Sequence, residues 1–525
     1  MCSRRCRHPW SGPVRARCAC ARSPSTTACT WAGNWPEHSL GRGWEGHALE
    51  ITANSLGWDT VFSLRLSEAN RQIDIAGSTP EGFSMPLPDN ETYTLTIGFG
   101  RWALSERSSG TRAHLTMPLD VWTIAKADDG TVIFDGAGSS VDTALDMEFV
   151  AADRLAAPDE DFERYHLRLA SPQGRNYRPA QVQLTLGEGV KDHPDVNGGL
   201  RRALETWLNT HLDVFDHIFA ELDITTKLAR GDFAWMQPTD MAYAFSEAEK
   251  GHEADAILAV LCMTGGRKAE GRALYVSGDM ITIGHVASLV IGSQRLLDSV
   301  VVPMMCSVFQ GIQPNFFELD RDGMGIRLMH RARVKPTPVL GMRCETWLDE
   351  LSIRIEADQL AIECETKVIT PLGAATNNSS GNYGVLMSED ADGNPTLSLE
   401  KLQGGFQVSK FQLSVEMQMF EKVAMIAGAT LGVMSVLAPG PLLAGFCIGL
   451  AIVAAVSLLV LDIAKLVLKD IAPSFDGLFE MNLKPLRWTG LGVFEVTEVT
   501  LSDSLRLAGY FPPPETDETA KIAAP

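Results

Sequence analysis

Arg112-Ala113-His114-Leu115-Thr116-Met117-Pro118-Leu119-Asp120-Val121-Trp122-Thr123-Ile124 sets Ala113, Leu115, Met117 and Leu119 on one parity, with His114, Thr116, Pro118 and Asp120 on the other. Side chains of a strand point alternately to its two faces, so a period of two predicts a half-buried strand. Residues 92–103 repeat the pattern with Leu95, Ile97 and Phe99, and Ser109-Gly110 marks a turn between the two stretches. Leu351, Ile353 and Ile355 alternate with Ser352, Arg354 and Glu356, and Leu360, Ile362 and Cys364 follow in the same way among Glu363, Glu365 and Lys367. These two runs predict an antiparallel hairpin with one wet face. Phe406 and Val408 share one parity and Phe411, Leu413, Val415 and Met417 the other, so a β-bulge is expected near Lys410.

Other stretches read as helix. Ser67 is a plausible N-cap for a short helix through Ile73, entered from the strand-like run 60–66. Leu200, Leu204, Leu208, Leu212, Phe215, Phe219 and Leu222 recur at spacings of three and four, the stripe of one amphipathic helix. Residues 286–309 predict a second helix, very apolar, which Pro303 should end or kink near Val302. Between Lys422 and Asp462, residues 423–461 carry no formal charge and are split by Pro439-Gly440-Pro441. As helices the two arms would reach ~24 and ~30 Å, so only the second matches a bilayer core. Gly428-x-x-x-Gly432 and Gly445-x-x-x-Gly449 give smooth faces for close helix packing. A helical hairpin is expected here, inserted in a membrane or buried in a large core.

Composition bounds the function. With 45% hydrophobic and 21% charged residues, the 525-residue chain can bury a large core. Its net charge of −20 repels phosphate backbones, which excludes nucleic-acid binding. Residues 1–49 differ from the rest: they hold seven Arg, five of the ten Cys and four of the eleven Trp, without apolar periodicity. They read as a disordered leader or a mis-assigned start, and residues 512–525 as a disordered tail. No uninterrupted apolar stretch follows the basic beginning, so no secretory signal peptide is predicted; the expectation is a cytoplasmic protein or one secreted by a signal-independent route. Cys18-Ala19-Cys20 is too tight for zinc, and Cys262, Cys306, Cys344, Cys364 and Cys447 read as scattered buried thiols.

Catalytic motifs are hard to find. Asp213 and His217, four apart and near His211, could share a helix face, although a solvated ion pair explains them. Asp390-Ala391-Asp392-Gly393-Asn394 opens like a calcium loop but has Pro395 where glycine is needed and Lys401 at the closing acid. Asp320-Arg321-Asp322-Gly323 fails similarly, and both read as turns. No phosphate-binding glycine loop, His-Glu-x-x-His or Gly-x-Ser-x-Gly is present. No catalytic residue, metal or cofactor is predicted. Arg327, His330, Arg331, Arg333 and Lys335 form the densest basic cluster, an anionic-lipid patch or a solvated strand face.

Asn54-Ser55-Leu56-Gly57-Trp58-Asp59-Thr60-Val61-Phe62, followed by Asn70 and Ile73, resembles the opening signature of the clostridial forty-seven-kilodalton (P47) family, found with OrfX proteins in botulinum-type toxin gene clusters. Phe99-Gly100-Arg101-Trp102 with Ser108-Ser109-Gly110 is similar to that family's Trp and Gly-Ser-Gly region, lacking its first Gly. Val290-Ile291-Gly292-Ser293, Leu296-Leu297 and Val302-Pro303 resemble its central helix, and Trp488 with Ser502-Asp503-Ser504-Leu505 its closing strands. The likeness spans residues 50–511.

The resemblance implies an α+β chain with an elongated tubular lipid-binding-like fold, long apolar helices wrapped by a curved antiparallel sheet. It implies no enzyme. Lipid-contacting residues would be Leu289, Leu296 and Val300 on the first apolar helix and Leu443, Phe446 and Ile452 on the hairpin. The family positions Gly57, Trp58, Asp59, Phe62, Trp102 and Gly110 would be structural, Gly57 allowing a backbone conformation that a side chain hinders. The expected partners are a lipid or membrane surface and toxin or accessory proteins. The alternative is an interaction scaffold of a toxin complex, with a fully packed core and no lipid.

Overall fold

Thr60–Arg65, Ile257–Thr264 and Ala287–Gly292 are three strands buried at every position. They form the centre of a six-stranded antiparallel sheet that runs Pro238–Ser246, Ile257–Thr264, Thr60–Arg65, Ala287–Gly292, Ser504–Tyr510, Glu495–Ser502. Their alternate side chains separate into two cores. Phe62, Leu64, Leu258, Val260, Cys262, Leu289 and Ile291 join the main cluster. Val61, Ile257, Ala259, Leu261, Met263 and Val290 form a second cluster with Val276, Met280 and Ile281. The latter three belong to the connection 265–286, which therefore covers the sheet's other face.

The computed structural model describes residues 53–152, 164–172, 179–187, 194–223, 234–246, 256–339, 342–370, 373–389, 395–402, 407–413, 486–488 and 494–511. The leader 1–49, the uncharged segment 423–461 and the tail 512–525 lie outside them, as do Cys447 and the turn 390–394. Among the described residues there are two larger antiparallel sheets, of nine and eight strands. The nine-stranded sheet contains the alternating stretches, as Asn90–Phe99 paired with Arg112–Lys126. The eight-stranded sheet contains the expected hairpin, with Ile355 opposite Leu360, Ile353 opposite Ile362 and Leu351 opposite Cys364. One face of that hairpin is buried, as the alternation requires.

The expected wrapping of long apolar helices by sheet is overturned. The described chain is dominated by antiparallel strands, its helices are few, and none is long and apolar enough to cross a membrane. The run 286–309 shows why. Its first part is the central strand Ala287–Gly292, and a strand buried on both faces is a continuous apolar run that periodicity cannot separate from a buried helix. Helix begins only at Ser293 and passes through a π-helical stretch, Leu297–Val301, into the short segment Val302–Val308. Pro303 neither ends nor breaks it: the wider turn precedes the proline, which sits near the start of the last segment, where a missing N–H costs little.

Three smaller expectations also change. The first helix runs Leu66–Ala76 with Arg65 at its N-cap, so Ser67 lies inside it, and Gly77 in the left-handed region closes it. The stripe from Leu200 to Leu222 is not one helix. Helix Pro194–His211 gives way to a 3-10 turn at Leu212–Val214, and Leu222 belongs to the strand Ala220–Asp223. Phe215, Phe219 and Leu222 are still buried, so the apolar spacing reflects one core reached by two kinds of element. Near Lys410, strand Gln407–Leu413 pairs in unbroken register with residues 373–379, so no bulge is present.

Since the α-helix ends at His211 and the 3-10 turn at Val214, Asp213 and His217 share no helix face. His217 is 2% exposed, and its Nδ1 lies 2.9 Å from the Ser78 hydroxyl. Burial pushes its pKa down to about 4, against a smaller opposing pull from Asp216. An unfolded histidine therefore binds its proton first as pH falls. The stability His217 supplies is complete above about pH 6.5 and is lost, by roughly 3 kcal/mol, as pH falls to about 4. Urea midpoints measured across that interval should fall less steeply for His217→Phe than for the native chain; equal slopes would show that His217 does not titrate with unfolding.

Candidate functional site

The residues 55–58 form a tight turn in which Trp58 N donates to Ser55 O at 3.0 Å. Both central residues have positive φ, Leu56 at 52° and Gly57 at 83°. Asn54 Oδ1 supports the turn by accepting from Leu56 N at 2.8 Å. The turn delivers Trp58 and Asp59 to the edge of the second core, where they are 1% and 3% exposed.

A carboxylate buried to that degree has to be paired. Asp59 accepts from Thr264 N at 2.7 Å and Thr264 Oγ1 at 2.9 Å through Oδ2, while its Oδ1 lies 2.6 Å from Arg267 Nη2. Thr264 ends a central strand and Arg267 opens the connection 265–286. Trp58 Nε1 reaches the same connection, donating to Ala273 O at 3.0 Å. A Cβ at Gly57 would run into the Arg272 guanidinium, and one at Gly292 would come within 2.5 Å of Trp58 O. The Gly-Trp-Asp signature is thus a clasp that closes residues 265–286 over the sheet.

The other end of that connection is held as firmly. Arg65 donates to His285 O at 2.6 Å and Thr282 O at 3.3 Å, and Arg506 to Asp279 O at 2.8 Å. Ser288 Oγ donates to Met280 O at 2.6 Å, and Thr282 Oγ1 to Glu498 at 2.7 Å. Buried guanidinium groups here serve as fixed donors to backbone carbonyls.

Beside the clasp lies a cleft of about 350 Å³ whose wall includes Ser55, Asp59, Gln294, Arg295, Asp322, Asp503 and Ser504. Arg295 is 8% exposed; it donates to Trp235 O at 2.6 Å and lies 5.4 Å from the centroid of that indole. Burial and the neighbouring Arg267 lower its pKa, and Asp59 and Asp298 oppose them. A second, wider cleft lies among Asp320, Arg321, Asp322, Arg327 and Arg354. There Arg354 bridges Asp320 and Asp322, so the failed calcium motif is an ion-paired turn. Such polar walls suit ions or peptide groups better than acyl chains.

Among the described residues no cluster of three or more His, Cys, Asp or Glu could hold a metal. Burial pushes the Cys262 and Cys364 thiols up to about 12. On the basic cluster, Arg327 pairs with Glu318, Arg331 with Asp349 and Arg333 with Glu345. Three of the five basic residues of that cluster are thus ion-paired.

Gly57, Trp58 and Asp59 come together in the clasp, with Phe62 beyond them on the main-core side of the first strand. Trp102 is elsewhere, stacked on Phe215 at 5.1 Å and edge-on to Phe99 at 5.1 Å. Gly110, at φ 53°, exchanges hydrogen bonds with Phe245. Leu289 and Leu296 are 1% and 5% exposed within the main core, and Val300 packs against it; none lines either cleft. Leu443, Phe446 and Ile452 lie outside the described residues. Sequence reading misses Thr264, Arg267 and Arg295, which no local motif marks.

Asp59 is buried while Arg267 is a third exposed, so Arg267→Ala, which strands the carboxylate, should cost about 3–5 kcal/mol in urea unfolding. With Asp59→Ala added, the further loss should fall short of additivity by roughly 0.5–3 kcal/mol. Full additivity would show that the two side chains do not act as a pair. Gly57→Ala should cost about 1–2 kcal/mol through its positive φ alone, because the Arg272 side chain can swing aside.

Among solved structures, P47 from Clostridium botulinum A2 superposes with a TM-score of 0.64 at 15% identity, covering 88% of this chain and 99% of that one. P47 of Clostridium botulinum E1 gives 0.63 at 13% identity, with 88% and 100% covered. These likenesses concern the fold. A lipopolysaccharide binding protein aligns with a TM-score of 0.21, and no lipid-binding role carries over from it. In sequence, Protein OrfX3 of Paraclostridium bifermentans is 22% identical over 489 residues, covering 87% of this chain and 98% of that protein. Protein OrfX3 of Clostridium botulinum (strain Kyoto / Type A2) is 23% identical over 491 residues, with 87% and 99% covered. The sequence profile of the OrfX-like family, described as Protein OrfX2/OrfX3/P47, matches residues 55–509, and the chain belongs to that family.

Proposed function

We propose that this chain is a non-enzymatic accessory protein of a toxin-type gene cluster and that it engages a lipid or membrane surface. The observation that carries this reading is the segment 423–461, thirty-nine consecutive residues without a formal charge in a chain of net charge −20. Water solvates such a segment poorly, and its second arm has the length of a bilayer core if helical. The non-enzymatic part is supported by the clasp, where the buried carboxylate has its acceptor sites occupied, and by thiols held far from their reactive form. A second reading, a scaffold that binds toxin-cluster proteins, is favoured by one fact: Leu289 and Leu296 belong to the main core at 1% and 5% exposure and line neither cleft described above.

Native mass spectrometry of the full chain, with organic extraction, separates the two when combined with flotation on phosphatidylcholine vesicles with and without phosphatidylserine. The lipid reading expects bound acyl lipid or flotation. Phe446→Asp and Ile452→Asp should each weaken it by at least about tenfold, the effect of placing a charge in an apolar membrane segment. A lipid-free mass together with no flotation of the native chain would sink the lipid reading and leave the scaffold.

A further inference from the structure

Residues 265–286 combine tight anchoring with exposed apolar side chains. Ile283 is 84% exposed at the tip of a turn in which His285 N donates to Thr282 O and Gly284 takes φ 90°. Arg65 holds the carbonyls of Thr282 and His285 on either side of it. Leu274 and Tyr275 are 46% and 55% exposed. They stand between Ala273, whose carbonyl Trp58 holds, and Val276, which is fully buried. Their exposure is therefore imposed by the anchors on both sides and is not the fraying of a loose loop. A segment fixed in this way has already met the conformational cost of binding.

Residues 265–286 carry Arg267, Lys268 and Arg272 against Glu270 and Asp279, with Arg267 committed to Asp59, in a chain of net charge −20. Lys268 and Arg272 are exposed, and among the described residues neither has an ion-pair partner; Glu270 lies between them. Arg272 also rests over Gly57, where a side chain would displace it. In the basic cluster at 327–335, by contrast, three of the five residues are spent on Glu318, Asp349 and Glu345. Aliphatic and aromatic tips beside unneutralised basic residues match a lipid interface, where rings sit at headgroup level and cations meet anionic headgroups.

We propose that residues 265–286 are the element through which this chain docks on an anionic membrane surface, with Leu274, Tyr275 and Ile283 entering the headgroup layer and Lys268 and Arg272 meeting its negative charge. This rests on the lipid reading of the chain and adds to it a contact element distinct from residues 423–461.

The test uses the full chain and phosphatidylcholine vesicles with or without phosphatidylserine, at low and high salt. The variants are Lys268→Glu/Arg272→Glu, Leu274→Ser/Tyr275→Ser and Ile283→Ser, with Val121→Ser as an exposed apolar control on another sheet. All these side chains are largely exposed, so unfolding midpoints should match the native chain. The native protein should float with phosphatidylserine vesicles. The charge pair should lose about tenfold or more at low salt, and the apolar pair a similar factor with less salt dependence, while the control floats normally. Tyr275→Trp should become more sensitive than the native chain to quenching by brominated lipid. If the native chain floats and the loop variants float equally well, the docking element is overturned and the lipid reading survives. If the native chain floats with neither vesicle, the docking element is overturned, and the lipid reading falls with it when the mass of the native chain is also lipid-free.

Discussion

A carboxylate sealed from water organises this molecule. Asp59 has its charge satisfied only if the end of one strand, Thr264, and the start of the next connection, Arg267, both converge on it. Leaving that charge unpaired would cost several kcal/mol, so the convergence is specified more strongly than any single apolar contact could specify it. The backbone path is fixed with it: Asp59 N donates to Cys262 O, and Gly292 N to Asp59 O. Three central strands of the sheet therefore meet at one acidic residue.

That meeting point leaves the sheet with two unlike faces. One looks into a large core shared with aromatic side chains such as Trp102, Trp207 and Phe215. Among the described residues, the other is covered by the connection 265–286 together with Ala53, with Trp58 beneath it. Burial of the second face depends on a segment without helix or sheet of its own beyond a short 3-10 turn, and buried arginines replace the ladder hydrogen bonds it lacks. The polar residues of the clasp and of the far end of the connection are engaged in holding the chain together.

How much of the fold is legible in the sequence depends on whether a strand touches water. Ala113, Leu115, Met117 and Leu119 alternate with partly exposed neighbours, and the hairpin around Ile353 and Ile362 has one wet face, so both declare themselves. Ala287–Gly292 touches no water on either face and reads as helix; Ile257–Thr264, equally apolar, carries no period at all. The helix ending at His211 reads as too long because Phe215 and Phe219 keep helical spacing while serving the same core through other backbone. Gly57, Trp58 and Asp59 are visible through family likeness, but Thr264 lies 205 positions from its carboxylate partner. Pairing across such a distance leaves no local trace.

The order of strands in the six-stranded sheet also sets a timetable for synthesis. Ala287–Gly292 is apolar on both faces, and its second neighbour, Ser504–Tyr510, is almost the last part of the described chain to leave the ribosome. Until then one side of the sheet's centre has bare backbone donors and acceptors, the kind of edge on which nascent chains cross-pair. Ser504–Tyr510 is paired with Glu495–Ser502 through a turn at Asp503, so the last two strands of the sheet are supplied together. Holding the growing chain apart from its neighbours until their arrival is a demand this topology places on the cell that makes it.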